Sequence, residues 1–136
     1  MNRKMDETLK TIEQFHGHLG PYAVIGYKMG RMACEKLGSD PFKKTVTVST
    51  GTTPPVSCII DGIQIGSGCT LGKGNITVKN ENMPKAEFRH ENGKKITITL
   101  QKKIKEEIDE FVTEENIHSY SEDMYNRKNI DLFQIE

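Results

Sequence analysis

The feature that most constrains the fold is an apolar segment with helical periodicity, residues 21–37, which directly follows His16-Gly-His18-Leu-Gly20. Pro21 suits the first position of a helix, because the N–H that proline lacks has no helical partner there. Apolar side chains then recur every three or four residues, and Gly38 is well placed to end the helix. The segment therefore predicts a largely buried helix with two histidines held just before it.

His16 and His18 are candidate metal ligands, because neutral imidazole is the commonest metal ligand among protein side chains. Two side chains at this spacing lie on one side of the chain only where the segment is extended. An isolated His-x-His also has a plainer interpretation, in which one histidine caps the helix and the other is solvated. These residues alone favour the plainer interpretation.

The size and charge of the chain exclude several classes of protein. A chain of 136 residues suits one domain, residues 1–136, with a single core. Basic and acidic residues are equal at 19 each, which argues against binding to nucleic acid or to an anionic membrane. No apolar stretch is long enough to span a bilayer, and the charged N-terminus leads into no signal-peptide segment. We therefore expect a cytoplasmic protein.

The three cysteines, Cys34, Cys58 and Cys69, do not indicate a disulfide framework, because they are odd in number and we expect a reducing compartment. Buried thiols, or metal or redox ligands, are the better interpretation. Cys34 lies among apolar residues of the predicted helix, so we expect it in the core and outside any metal site.

The order of helical and strand patterns predicts an α+β fold, in which N-terminal helices pack on a mainly antiparallel sheet and the C-terminal segment is helical. Helices are predicted over Met5–Phe15, Tyr22–Leu37, Val56–Ile65 and Gln101–Val112, with another starting at Thr113–Asn116. Strands are predicted over Lys44–Thr50, Ile76–Val78, Ala86–His90 and Lys95–Leu100. We expect a sheet of about four or five strands, with Leu132 and Phe133 docked on the core.

A glycine-rich stretch, residues 66–75, follows the predicted helix that carries Cys58 and Asp61. Its glycines permit positive φ and close approach of the backbone, but its spacing differs from that of a phosphate-binding P-loop. We predict a loop with Cys69 exposed on mobile backbone near Lys73. A tight turn between a helix and a strand is the alternative.

Three ordered motifs together resemble the core domain of the FmdE-like family, which takes its name from a subunit of formylmethanofuran dehydrogenase. They are Phe15-His-Gly-His-Leu-Gly-Pro-Tyr22, Cys58-Ile-Ile-Asp-Gly-Ile-Gln64 and Gly68-Cys-Thr-Leu-Gly-Lys-Gly-Asn75. The resemblance covers about residues 6 to 135, without the zinc finger that follows the core in many members. It departs from the family at Gly20, where a cysteine is usual.

The motifs and the resemblance point to a metal site. Histidine and cysteine ligands suit zinc, although other divalent transition metals accept them too. We expect a cluster of four ligands, with a further group that orients these ligands or binds substrate; the ligands are His16, His18, Cys58 and Cys69, and the further group is Asp61, Gln64, Thr70 and Lys73. Gly20 either opens a coordination position for water or abolishes binding.

The resemblance implies an accessory subunit associated with molybdenum or tungsten formylmethanofuran dehydrogenase, an enzyme of methanogenesis. Two alternatives are a stand-alone metal-dependent enzyme on a small substrate, and a small-anion-binding module that uses backbone N–H groups of the glycine-rich loop. The family core is typically paired, and a helix rich in glycine and methionine permits close contact, so a homodimer is predicted. Those residues could instead fit the chain's own core.

Overall fold

The computed structural model describes the backbone of residues 3–136 and the side chains of residues 7–136. Helix α1 spans Arg3–His16 and α2 spans Pro21–Leu37. Pro21 stands at the start of α2, and Gly38, with φ +95°, ends it by donating its N–H to the Cys34 carbonyl oxygen. The bounds predicted for this buried helix are therefore confirmed.

Five strands form one sheet in the order β2-β1-β3-β4-β5. They are β1 (Lys44–Val48), β2 (Ile76–Val78), β3 (Lys85–His90), β4 (Lys95–Leu100) and β5 (Phe133–Ile135). The β1–β2 pair is parallel and the other three pairs are antiparallel. Alternate side chains of β1, β3 and β4 are buried beneath α2, with Phe88 and Ile98 fully enclosed. The predicted α+β fold is confirmed.

Helix α3 (Ile59–Ser67) follows a single 3₁₀ turn, Val56–Cys58, and lies against α2 at very short range. A Cβ atom on Gly62 would lie 1.9 Å from the Ala23 carbonyl oxygen, and one on Gly26 would lie 2.0 Å from the Ile59 carbonyl oxygen. Backbone packs directly on backbone here, which glycine alone permits. The glycines and methionines of α2 that suggested a dimer contact are thus used within the chain, with Met29 fully buried.

The C-terminal helices are α4 (Lys102–Phe111), α5 (Ile117–Asn126) and α6 (Asn129–Leu132). The helix predicted to start at Thr113 begins four residues later, because the Asn116 side chain accepts a hydrogen bond from the Thr113 N–H and closes a turn there. Leu132 and Phe133 are buried as predicted, and Phe133 opens the edge strand β5. Within residues 3–136, no helix combines the length and apolar character that crossing a membrane requires.

Candidate functional site

The loop between α1 and α2 brings His16 and His18 side by side. Gly17 has φ +100°, a conformation that favours glycine, and it reverses the chain directly after α1 ends at His16. The two imidazole rings stack with their centroids 5.0 Å apart and an interplanar angle of 21°. The two histidines therefore form one group.

Asp61 on α3 orients His16. Its Oδ2 lies 2.6 Å from Nδ1 of His16, whose side chain is only 9% exposed. A carboxylate accepts this hydrogen bond, so Nδ1 carries the proton and the lone pair of His16 is on Nε2. Nε2 in turn faces Gly20, where a Cβ atom would lie 3.9 Å from it. The same arrangement prepares a histidine for metal ligation or for general-base catalysis.

His16, His18 and Cys58 line a cavity of about 750 Å³ at the start of α2. This volume lies within the range of roughly 300–1,000 Å³ that is usual for small-molecule sites. Much of its wall is apolar and comes from the loop before α3, from α4 and from the start of α5, through Pro54, Pro55, Val56, Ile108, Val112 and Ile117. The cavity thus joins an apolar wall to a histidine pair and a thiol.

Cys58 is half-buried, and its thiol is held in the protonated form. Burial raises the pKa of Cys58, and the negative charge of Asp61 raises it further. Removing that charge in Asp61→Asn lowers the pKa and exposes more thiolate, so we expect faster alkylation of Cys58 by iodoacetamide at pH 7.5. Because burial is the larger cause, the pKa should stay above its ordinary value.

Mass spectrometry of the alkylated peptide, followed across a pH series, measures this change. The control is Asp40→Asn, which removes an exposed carboxylate elsewhere in the chain. Equal alkylation rates in Asp61→Asn and in the unsubstituted protein would contradict the prediction.

A second polar group on the cavity wall was not anticipated from the sequence. The buried Tyr22 hydroxyl donates to Oδ1 of Asp109 at 2.6 Å, and the Lys105 ammonium donates to Oδ2 at 2.6 Å. Burial, with the hydrogen bond to Asp109, raises the pKa of Tyr22, which keeps its hydroxyl a donor. In the sequence, Lys105 and Asp109 resemble an ordinary i, i+4 pair on a solvated helix face.

Cys69 does not line the cavity. It is fully buried, and its Sγ lies 3.8 Å from the Lys44 carbonyl oxygen, while its backbone N–H donates to Ser67 Oγ. Burial raises the pKa of the Cys69 thiol, which disfavours the thiolate that a metal needs. The prediction that Cys69 is exposed on a mobile loop is wrong. Cys34 is buried beside Gly66 and Ser67, as expected of a core thiol.

The glycine-rich stretch is a closed turn, which was the alternative interpretation. Gln64 Oε1 accepts from the Leu71 N–H, and Thr70 Oγ1 accepts from the Lys73 N–H. The Thr70 N–H is bound by the Asn75 side chain, and the Lys73 ammonium lies 5.6 Å from the centre of the Phe42 ring. Because these N–H groups already have partners, they cannot also cradle an anion. Of the four predicted supporting residues, only Asp61 contacts a histidine of the cavity.

The four predicted ligands are not assembled into one cluster. Among residues whose side chains the structure describes, no three His, Cys, Asp or Glu groups are placed to hold a metal ion. The donors at the cavity are right in kind for zinc, since they are imidazole nitrogen and thiol sulfur. In position, the protein supplies an adjacent pair of histidines and one cysteine on the same cavity wall.

The fold and the cavity define an α+β domain with a histidine-lined pocket at the start of a glycine-packed helix pair. Residues 15–134 match the family model described as FmdE, molybdenum formylmethanofuran dehydrogenase operon. The chain belongs to this FmdE family.

A solved structure of an FmdE-like protein of tungsten formylmethanofuran dehydrogenase, from Syntrophus aciditrophicus, has the same fold. Its TM-score is 0.70 at 20% identity, over 97% of this chain and 70% of that one. A curated relative, described as a probable S-adenosyl-L-methionine-binding protein of Archaeoglobus fulgidus, is 32% identical over 75 residues, which is 54% of this chain. The matched segment spans 20% of that relative's length.

Proposed function

We propose that the cavity binds a divalent transition metal ion, zinc or a close relative, with His16 and His18 as ligands. The observation that carries the proposal is the 2.6 Å hydrogen bond from His16 Nδ1 to Asp61. A metal-ligating histidine almost always donates its second ring N–H to a carboxylate or carbonyl group, which fixes its tautomer. His16 already has this partner, and its Nε2 faces the cavity beside His18.

Cys58 is the proposed third ligand, because its thiol lines the same cavity. A bound cation lowers the pKa of a coordinating thiol, which offsets the effects of burial and of Asp61 on Cys58. Cys69 is no longer proposed as a ligand, because it is buried away from the cavity wall.

The proposed setting is that of an accessory protein to a molybdenum or tungsten formylmethanofuran dehydrogenase in the cytoplasm. The description of the matched family supports it, since it refers to the operon of that enzyme. A homodimer remains part of the proposal, but the packing of Gly26, Gly30, Met29 and Met32 inside the chain requires another surface for it.

A second candidate function is binding of S-adenosylmethionine, the ligand named for the Archaeoglobus fulgidus relative. The feature that favours it is the Asp109–Lys105 pair on the cavity wall, which offers one anionic and one cationic partner to a zwitterionic ligand. Retention of S-adenosylmethionine by chelator-treated protein would support this candidate.

Titration with Co²⁺, combined with elemental analysis of the purified protein, tests the metal site. His18→Ala is expected to weaken binding more than about 100-fold, because ligand losses exceed the roughly 10- to 100-fold effect of a supporting residue. Asp61→Asn is expected to fall within that smaller range.

Cys58→Ser and Cys69→Ser form a matched pair of cysteine variants. Cys58→Ser should weaken Co²⁺ binding, whereas Cys69→Ser should bind like the unsubstituted protein. Equal losses in both cysteine variants, or full binding by His18→Ala, would contradict the proposed site.

A further inference from the structure

Gly20 is a glycine that neither its backbone nor its packing requires. Its φ of −133° and ψ of 149° lie in the extended region, which every residue type adopts. A Cβ atom there would meet no atom closer than 3.9 Å, which is an ordinary van der Waals distance. A serine or aspartate would also cap α2 better, since Gly20 makes no side-chain capping bond.

What Gly20 does provide is open space beside both imidazoles. The nearest atoms to its absent Cβ are Cδ2 and Nε2 of His16 and Cε1 of His18, all at 3.9 Å. A close approach of the backbone to a ligand is one of the few reasons for glycine at a position with ordinary dihedral angles. The space opens into the cavity, because Gly20, His16 and His18 all line it.

The surroundings select the kind of atom that enters this space. The protein places only two nitrogen donors side by side among its described side chains, so a metal ion there needs further ligands from outside. Pro21, Pro54 and Val56 make the neighbouring wall apolar, which favours an organic group over a strongly hydrated one. Thiolate sulfur is the soft donor that completes mixed nitrogen and sulfur sites of zinc and related metals.

We propose that the cavity takes a small organic thiol, whose sulfur lies over Gly20 and binds as a thiolate to a metal ion held by His16 and His18. The inference rests on the proposed metal site. On binding, the S–H bond breaks, a metal–sulfur bond forms and the proton passes to solvent. No atom is oxidised or reduced. The carbon skeleton of the thiol packs on the apolar wall.

The test uses the full chain loaded with Co²⁺ in a Cys58→Ser background, which removes the cavity's own thiol. The probe is 2-mercaptoethanol, and ethylene glycol is the control, because it carries a hydroxyl in place of the thiol. We expect a saturable thiolate-to-cobalt charge-transfer absorption with the probe alone. The spectrum before addition accounts for the buried Cys34 and Cys69.

Gly20→Ala in the same background fills the space with one methyl group and clashes with nothing. Cobalt content should be unchanged, whereas the affinity for the thiol should fall at least about tenfold, or roughly 1.4 kcal/mol. Normal cobalt content without the thiol band, or an equal affinity in Gly20→Ala, overturns the inference and leaves the metal site standing. Absence of bound cobalt overturns both.

Discussion

Replacing Gly62 with alanine is expected to lower the free energy of unfolding by about 3 kcal/mol or more, at the upper end of overpacking effects. The added Cβ would lie 1.9 Å from the Ala23 carbonyl oxygen and 2.4 Å from the Tyr27 nitrogen. Both are backbone atoms of α2, so no side chain can turn aside and the helices must separate. Asp61, the preceding residue, would move with α3, and its hydrogen bond to His16 would lengthen.

Urea denaturation followed by circular dichroism measures this loss. The matched control is Gly72→Ala in the exposed turn, where the nearest atom to a new Cβ is Thr70 Oγ1 at 3.9 Å. We expect it to change stability by less than about 0.5 kcal/mol. An equal denaturation midpoint for Gly62→Ala and the unsubstituted protein would refute direct backbone contact between α2 and α3.

Lys28→Met is expected to lower stability by about 2–4 kcal/mol, which is the scale for leaving buried polar groups without their charged partner. The Lys28 ammonium is buried and donates to the carbonyl oxygens of Met124, Tyr125 and Arg127 at 3.0, 3.1 and 2.5 Å. Methionine keeps the length of the side chain but leaves these carbonyls, at the end of α5, without a donor.

Thermal unfolding at pH 7 is the measurement. Burial lowers the pKa of Lys28 to about 8, so the side chain is still charged at that pH. Lys36→Met, on an exposed position of the same helix, is the control and should change little. A melting temperature for Lys28→Met equal to that of the control would show that Lys28 does not hold α5 in place.

The sequence predicted those parts of the fold in which periodicity runs for several turns or residues. The bounds of α2, and the strand patterns of β1, β3 and β4, follow from their own apolar spacing. The edge strand β5 has only three residues, too few to show a period. Lys28 was not identified, because a lysine in a helical pattern does not show whether its ammonium meets water or three carbonyl oxygens.

The candidate site was predicted in part, for a related reason. Spacing placed Asp61 one turn after Cys58, and a carboxylate that orients a histidine is what the structure shows. Cys69 was misplaced, because a glycine-rich stretch has the same sequence appearance whether its N–H groups are free or already bonded. The partners that close it, Gln64 and Asn75, lie at its two ends and are visible only in three dimensions.

The contact between α2 and α3 divides the cavity into two parts that differ in their capacity to diverge. The pairing of His16 with Asp61 depends on helices that meet through their main chains, so side-chain substitution cannot adjust their separation. The facing wall, from Val56, Ile108 and Val112, consists of side chains that can be exchanged for others of different size or polarity. A library confined to that wall can therefore change ligand preference while the oriented histidine keeps its geometry.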